Sequence, residues 1–484
     1  MNMNTHYKKH FLSNSFFLSL ITFIWPFYLF FLTILIANFL GSRALGEYSI
    51  VSNYYSLFVN IAIMGLNVLL VRELSVRDDG NSYFINAVYL GMLSSLISMA
   101  AVCFLGVIMG YSSHIKMLLF IFSLGIVFDV LILYCQSAYL SLNKIHIFFY
   151  IFFTSLIILT ALLTFLIIKK VDLSVIGLAI AAIKAGTAFA SLFFLHSDRF
   201  SLSPALFNFH TFKSIIFLLP IFSILSIIEI VILRIDIALL SKILNEMDVA
   251  VYSIAKRFIF FVFLLALNLA IGASPLLAKK LAEEPGLFYH LEERITAVLL
   301  ALSAFININL WIFAKPIIFL FFGKEYVQSV DILRILSLSC VPIFLSTYFS
   351  KLLIIVNHQK KDLYALFLCL LLSPVLYLFL CLKYGLHGCG YAFLFMSFLL
   401  FILRSFFIWR SDPLIIKKLR PLTAKFFFSV LFYGLTLFIV QNMSLPLQWT
   451  VVHVVFLGSL FLLQIMKIKD VDILIHILKK KISS

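Results

Sequence analysis

Fourteen apolar stretches fill this chain almost end to end, near 15–39, 48–70, 84–110, 115–140, 146–168, 173–195, 214–240, 250–274, 294–322, 332–356, 361–383, 387–409, 424–441 and 449–466. A helix that crosses a bilayer needs about 20 apolar residues, and every stretch is of that order. Nothing between them is long enough to fold as a soluble domain. The expected class is an all-α polytopic membrane protein of about 14 transmembrane helices.

Composition agrees where it bears on the solvent. Charged residues make up 12% of the chain and hydrophobic ones 63%, against about 25% charged in soluble domains. The first stretch is too long for a signal-peptide core and no A-x-A-like site follows it, so it is expected to stay as a helix. The net charge of +16 does not point to nucleic acid, because no basic stretch is interleaved with exposed aromatics on a soluble module. Basic residues also crowd the cytoplasmic loops of membrane proteins. Of the 37 Lys and Arg, 22 gather on the side of Lys8 and Lys9 and 8 on the other, with 7 inside the stretches. Both termini are therefore expected in the cytoplasm.

Six cysteines, Cys103, Cys135, Cys340, Cys369, Cys381 and Cys389, lie in apolar helices or at their ends without a C-x-x-C. They are expected to be small packing residues and not a disulfide frame or metal site. No H-E-x-x-H and no P-loop is present, so no metal, cofactor or ATP hydrolysis is expected.

The chain repeats itself weakly. Tyr48-Ser49-Ile50 opens the second stretch and Tyr252-Ser253-Ile254 the eighth. Asn67 to Leu74 lines up with Ser274 to Leu281, and Asn143 after the fourth stretch echoes Asn357 after the tenth. Six helices per repeat keep the copies parallel, with a pseudo-twofold axis along the membrane normal. The expected division is an N-terminal six-helix bundle over 1–200 and a second over 201–410. Two additional helices and a basic cytoplasmic tail fill 411–484.

Polar residues form stripes. Ser49, Asn53, Ser56, Asn60 and Asn67 recur at helical spacing along the second stretch, either as interhelical glue or, the favoured reading, as a cavity lining. Asp129, Gln136 and Asn143 recur at sevens along the fourth. Charges at depth are costlier, about 2.5–3.5 kcal/mol each on a lenient scale. Lys256, Arg257 and Arg404 are close enough to helix ends to snorkel. Lys184, Arg257 and Lys351 are nonetheless the candidate cavity cations, suited to a phosphate or pyrophosphate. Asn53, Asn60 and Asn67 join them as candidate substrate contacts. Glu229, Asp129 and Asp236 are candidate ion-coupling carboxylates, on the ground that burial among apolar neighbours lets a carboxylate carry a proton near neutral pH. A structural pairing of Glu229 with a cavity lysine is the competing expectation.

Several segments resemble a known family. Leu40-Gly41-Ser42-Arg43-Ala44-Leu45-Gly46-Glu47-Tyr48, followed by Gly65 and Val71-Arg72-Glu73-Leu74, is similar to the start of polysaccharide exporters of the multidrug/oligosaccharidyl-lipid/polysaccharide (MOP) superfamily. Arg234-Ile235-Asp236-Ile237-Ala238-Leu239-Leu240 with Val251 to Arg257 resembles that family's mid-chain signature, though Ala250-Val251 replaces its glycine. Phe321 to Tyr326, Ile332 to Leu336 and Gly385-Leu386-His387-Gly388 resemble later segments. The likeness runs over roughly 15–410 and fits O-antigen flippases of the Wzx type best. Many members are described with twelve helices, two fewer than here.

That resemblance implies a flippase of the bacterial inner membrane. Its partners would be undecaprenyl-diphosphate-linked oligosaccharide, the lipid bilayer and other O-antigen assembly proteins, and it would move its cargo by alternating access. A drug/cation antiporter of the same superfamily is the alternative, expected to show a carboxylate-dominated, aromatic-lined cavity. A membrane-bound polymerase or ligase is disfavoured by the short external loops and the lack of a nucleophile–base arrangement, so no enzyme is expected.

Overall fold

The computed structural model describes residues 3–76, 80–198, 203–440 and 443–463. Arg77, Arg199, the basic tail from Lys467 to Lys481 and the last residues of the thirteenth and fourteenth stretches lie outside them. The described residues form helices and no strands: α1 (Met3–Ile63), α2 (Leu66–Val76), α3 (Gly80–Ile108), α4 (Ser113–Ser123), α5 (Gly125–Ser141), α6 (Ile145–Ile168), α7 (Leu173–Asp198), α8 (Phe209–Ile243), α9 (Glu246–Glu283), α10 (Pro285–Phe322), α11 (Gln328–Ser337), α12 (Cys340–Ile355), α13 (Gln359–Ser411), α14 (Pro413–Val440) and α15 (Leu445–Leu462).

Element by element these are the fourteen expected crossings. α1 holds two, separated where Gly41 takes φ 84° and ψ 179°. α13 holds two more, separated at Gly385 with φ 58° and ψ −136°. Only glycine adopts such backbone without strain, so each glycine turns one long apolar run into a helical hairpin. α4 with α5, and α11 with α12, are single crossings broken midway, the second bent by 43°. α2 continues the second crossing past Met64 and Gly65, both at positive φ.

Two compact units divide the chain, 1–250 and 251–483. In the first, α1 packs against α3, α6 and α8, and α5 against α2, α3 and α7. Apolar surface supplies little drive between helices in lipid, so small residues and polar contacts hold them. The Ser94 hydroxyl donates to the Ala62 carbonyl at 2.7 Å and ties α3 to α1. Polar contacts tie α8 in: Asn53 donates to the Arg234 carbonyl at 2.9 Å, and the Tyr111 and Ser241 hydroxyls meet at 2.5 Å. In the second unit α12 packs along α13, and α10 contacts α11, α12, α14 and α15. The terminal helices are not loose additions. Trp449 Nε1 donates to Asn309 Oδ1 at 3.0 Å and His453 sits 3.1 Å from the same amide, which pins α15 to α10.

The weak echo of Asn143 in Asn357 has a structural counterpart. The fourth and tenth crossings are both broken, and both end on these asparagines in the left-handed region, at φ 58° and 60°. Each is followed by the same closing hydrogen bond, Lys144 N to the Tyr139 carbonyl at 2.8 Å and His358 N to the Leu353 carbonyl at 2.7 Å. Asparagine tolerates this conformation better than other non-glycine residues.

One expectation is overturned. Cys381 and Cys389 form a disulfide, their Cα atoms 5.2 Å apart. The kink at Gly385 folds the two arms together, which sequence spacing alone does not reveal. The arms are so close that a Cβ on Gly388 would lie 1.9 Å from the Leu380 carbonyl oxygen. Cys135, Cys340 and Cys369 are buried free thiols, as expected of packing residues, and Cys103 is half-buried.

Candidate functional site

The first unit gathers a charged cluster around Lys184. Midway along α7, Lys184 is only 6% exposed. Its Nζ lies 2.7 Å from Asp129 Oδ2 on α5 and donates to the Tyr55 hydroxyl at 2.6 Å. Tyr55 in turn donates to the same carboxylate oxygen. Two aromatic faces flank the ammonium, Tyr55 at 4.5 Å and Trp25 at 5.6 Å from the ring centroids, both within cation–π range.

Each residue arrives from a different element. Trp25 and Tyr55 come from the two arms of α1. Asp129 stands one turn into α5, just past the break at Leu124. That break matters for Tyr55, because a Cβ on Gly125 would sit 3.0 Å from its hydroxyl oxygen. A larger residue there would crowd the ring.

Lys184 and Asp129, expected in separate roles, thus form one ion pair. The Asn stripe does not survive as a single lining. Asn53 is 1% exposed and spends its amide on α8, with no donor to its Oδ1. Ser49 is also buried, its hydroxyl without a partner. Asn60 is exposed and bonds back to the Ser56 carbonyl at 2.7 Å. Asn67 is half-buried on α2, beyond the Met64–Gly65 break, so its sevenfold spacing from Asn60 no longer means a shared face. The Asp129 stripe ends similarly, since Asn143 lies in the closing turn and accepts from Asn14 at 2.8 Å.

Glu229 is exposed on α8, and it makes no hydrogen bond or ion pair among the described residues. Its expected burial, and its expected pairing with a lysine, are both absent. Asp236 is 1% exposed, its carboxylate accepting from Ile237 N at 2.8 Å.

In the second unit Arg257 and Lys351 are half-buried on α9 and α12. Arg404, expected to snorkel, is 4% exposed and pairs with Asp362 at 2.7 Å. It also donates to the Ser346 hydroxyl at 2.9 Å, while Ser350 donates to Asp362 at 2.7 Å. Glu292 on α10 is fully buried, with Thr296 donating to Oε1 at 2.9 Å and nothing donating to Oε2. Sequence reasoning missed Asp362 and Glu292, because each sits in a charged run that resembles a loop. It missed Tyr55 and Trp25 because aromatics are everywhere in this chain. Among the described residues no cluster of three or more His, Cys, Asp or Glu could hold a metal ion.

The fold is that of the MATE and MurJ transporters. The solved structure of the lipid II flippase MurJ in an inward closed conformation superposes with a TM-score of 0.68 at 17% identity, covering 91% of this chain and 97% of that one. A multidrug resistance MATE family transporter of the MOP superfamily, inward-facing, gives 0.66 at 15% identity over 80% and 94%. A MOP superfamily transporter from Pyrococcus furiosus gives 0.59 at 13% over 84% and 96%. Residues 221–379 match the MatE family. No curated protein sequence matches the chain.

Proposed function

We propose that this protein is a flippase that carries undecaprenyl-diphosphate-linked oligosaccharide from the cytoplasmic to the periplasmic leaflet of the bacterial inner membrane by alternating access. The observation that carries the reading is Lys184, a buried cation held deep in the first unit between a carboxylate and two aromatic faces. The fold shared with a lipid II flippase supports it, as does the resemblance of the motifs to O-antigen flippases.

In this mechanism the substrate diphosphate competes with Asp129 for Lys184. A proton or sodium ion on Asp129 frees the ammonium for the diphosphate, and its departure restores the pair. Coupling and head-group binding then belong to one contact. Arg257 and Lys351 are the candidate head-group cations of the second unit. Asp236 and Glu229 remain candidate coupling groups. No covalent step is assigned to any residue.

Both termini in the cytoplasm is part of the proposal. The loop charges favour it. The disulfide supports it from a different direction, since the connection between the eleventh and twelfth crossings then faces the periplasm, where disulfides persist.

One set of observations favours a second reading, a drug/cation antiporter. Asp129 accepts from Tyr55, Trp25 flanks its lysine partner, and MATE multidrug transporters share the fold. Proteoliposomes separate the two. Purified protein should flip a fluorescent undecaprenyl-diphosphate glycan, and Lys184→Ala should slow it at least tenfold. Gradient-driven uptake of an organic cation without glycan flipping would favour the antiporter. Asp129→Asn should flip without dependence on a proton or sodium gradient.

A further inference from the structure

An open groove of about 490 Å³ runs along the outside of the first unit between α1 and α6. Phe23, Phe27 and Phe31 form one wall at one-turn intervals and are 51%, 59% and 42% exposed. Leu156 and Thr160 of α6 form the other. Thr160 spends its hydroxyl on the Leu156 carbonyl at 2.7 Å, so that wall is apolar.

Tyr28 is the exception. It lines the same groove, is 8% exposed, and its hydroxyl has no hydrogen-bond partner among the described residues. An unspent hydroxyl in so apolar a place costs free energy unless something bonds it. Its ring lies 5.5 Å from Trp25, and Trp25 lies under the Lys184 ammonium. One aromatic ring therefore separates the groove from the buried cation. A hydrocarbon chain alone would use the wall and waste the hydroxyl. An uncharged lipid could not compete with Asp129 for Lys184.

We infer that this groove binds the isoprenoid chain of a polyprenyl-phosphate lipid, with its first phosphate at the Tyr28 hydroxyl on the side of Lys184. The inference rests on the flippase reading and adds where the tail of the cargo travels. Aromatic faces recurring every four residues, about 6 Å along the helix, suit a chain that is methyl-branched at short regular intervals. The branches pack against ring faces in a way a straight acyl chain does not. The phosphate takes the hydroxyl's hydrogen bond, and its competition with Asp129 for Lys184 orients the lipid.

The full chain in phosphatidylglycerol nanodiscs, irradiated with a benzophenone-bearing undecaprenyl phosphate, tests this by peptide mapping. Crosslinks should concentrate in 20–34 and 152–164. Unlabelled undecaprenyl phosphate should compete, and a tenfold excess of added phosphatidylglycerol should not. Thr160→Trp, which fills the groove, should lower crosslinking at least tenfold. Tyr28→Phe should weaken undecaprenyl phosphate several-fold and leave the uncharged polyprenol unchanged. Crosslinks spread evenly over the lipid-facing helices, or equal competition by phosphatidylglycerol, would reduce the groove to ordinary bilayer contact. Flipping with crosslinks elsewhere overturns the groove alone. Crosslinks in the groove without any flipping overturn the flippase reading and leave the lipid site standing.

Discussion

Lys184 and Asp129 are 55 residues apart in sequence, and neither would be tolerated alone at this depth. Removing one partner of a buried pair commonly costs roughly 3–5 kcal/mol, because the other charge stays buried. Lys184→Ala should therefore lower the detergent melting temperature sharply. The double variant Lys184→Met with Asp129→Leu should recover most of that loss, and additive losses would show the two side chains to be independent. Arg404 and Asp362 invite the same cycle in the second unit. At this scale the sequence reading found the ionisable residues that lie deep in apolar stretches. It could not find their partners, because a partner is chosen by packing. Arg404 shows this best. Three methylenes of stem allow snorkelling, and only the neighbouring Ser346 and Asp362 reveal that it turns inward.

Helical spacing predicts a shared face only while the helix stays continuous. The Asn stripe on the second crossing breaks at Met64 and Gly65, and its buried member is spent on α8. Cysteines at 53 and 60 should consequently differ: the exposed position 60 should react quickly with a water-soluble maleimide and position 53 slowly. Comparable rates would mean that the tie to α8 opens readily. The break between α4 and α5 has its own test. Gly125→Ala pushes against Tyr55 and should weaken its bond to Asp129, seen as a lower melting temperature that Tyr55→Phe partly relieves. At the start of α7, Asp172 accepts from Ser174 N at 2.9 Å and from its hydroxyl, which holds its carboxyl below the usual range. Such a cap is at full strength above the ordinary carboxylate pKa and is lost as pH falls through the lowered value. Acid should thus fray the first turn of α7 before its middle, as read by hydrogen exchange. The broken helices themselves were hidden from the sequence. Their apolar runs are uninterrupted, and a midway bend leaves hydropathy unchanged.

Across the whole chain, hydropathy alone placed all fourteen crossings, since a bilayer demands long apolar helices and this chain supplies little else. It could not say which of them are hairpin arms. Those depend on Gly41 and Gly385, single residues in long windows. The repeat grouped the seventh stretch with the later half, whereas α8 packs on α1 and α3 within the first unit. Sequence repeats record ancestry, and packing records the conformation at hand. The bond between Cys381 and Cys389 has a consequence of another kind. On the proposed orientation it can close only after the twelfth crossing has threaded and its hairpin has emerged on the oxidising side. A chain inserted upside down would keep both thiols. The fraction in which an alkylating reagent tags Cys381 and Cys389 themselves in freshly made protein is therefore a running count of insertion errors, carried by each molecule as a covalent mark of its own birth.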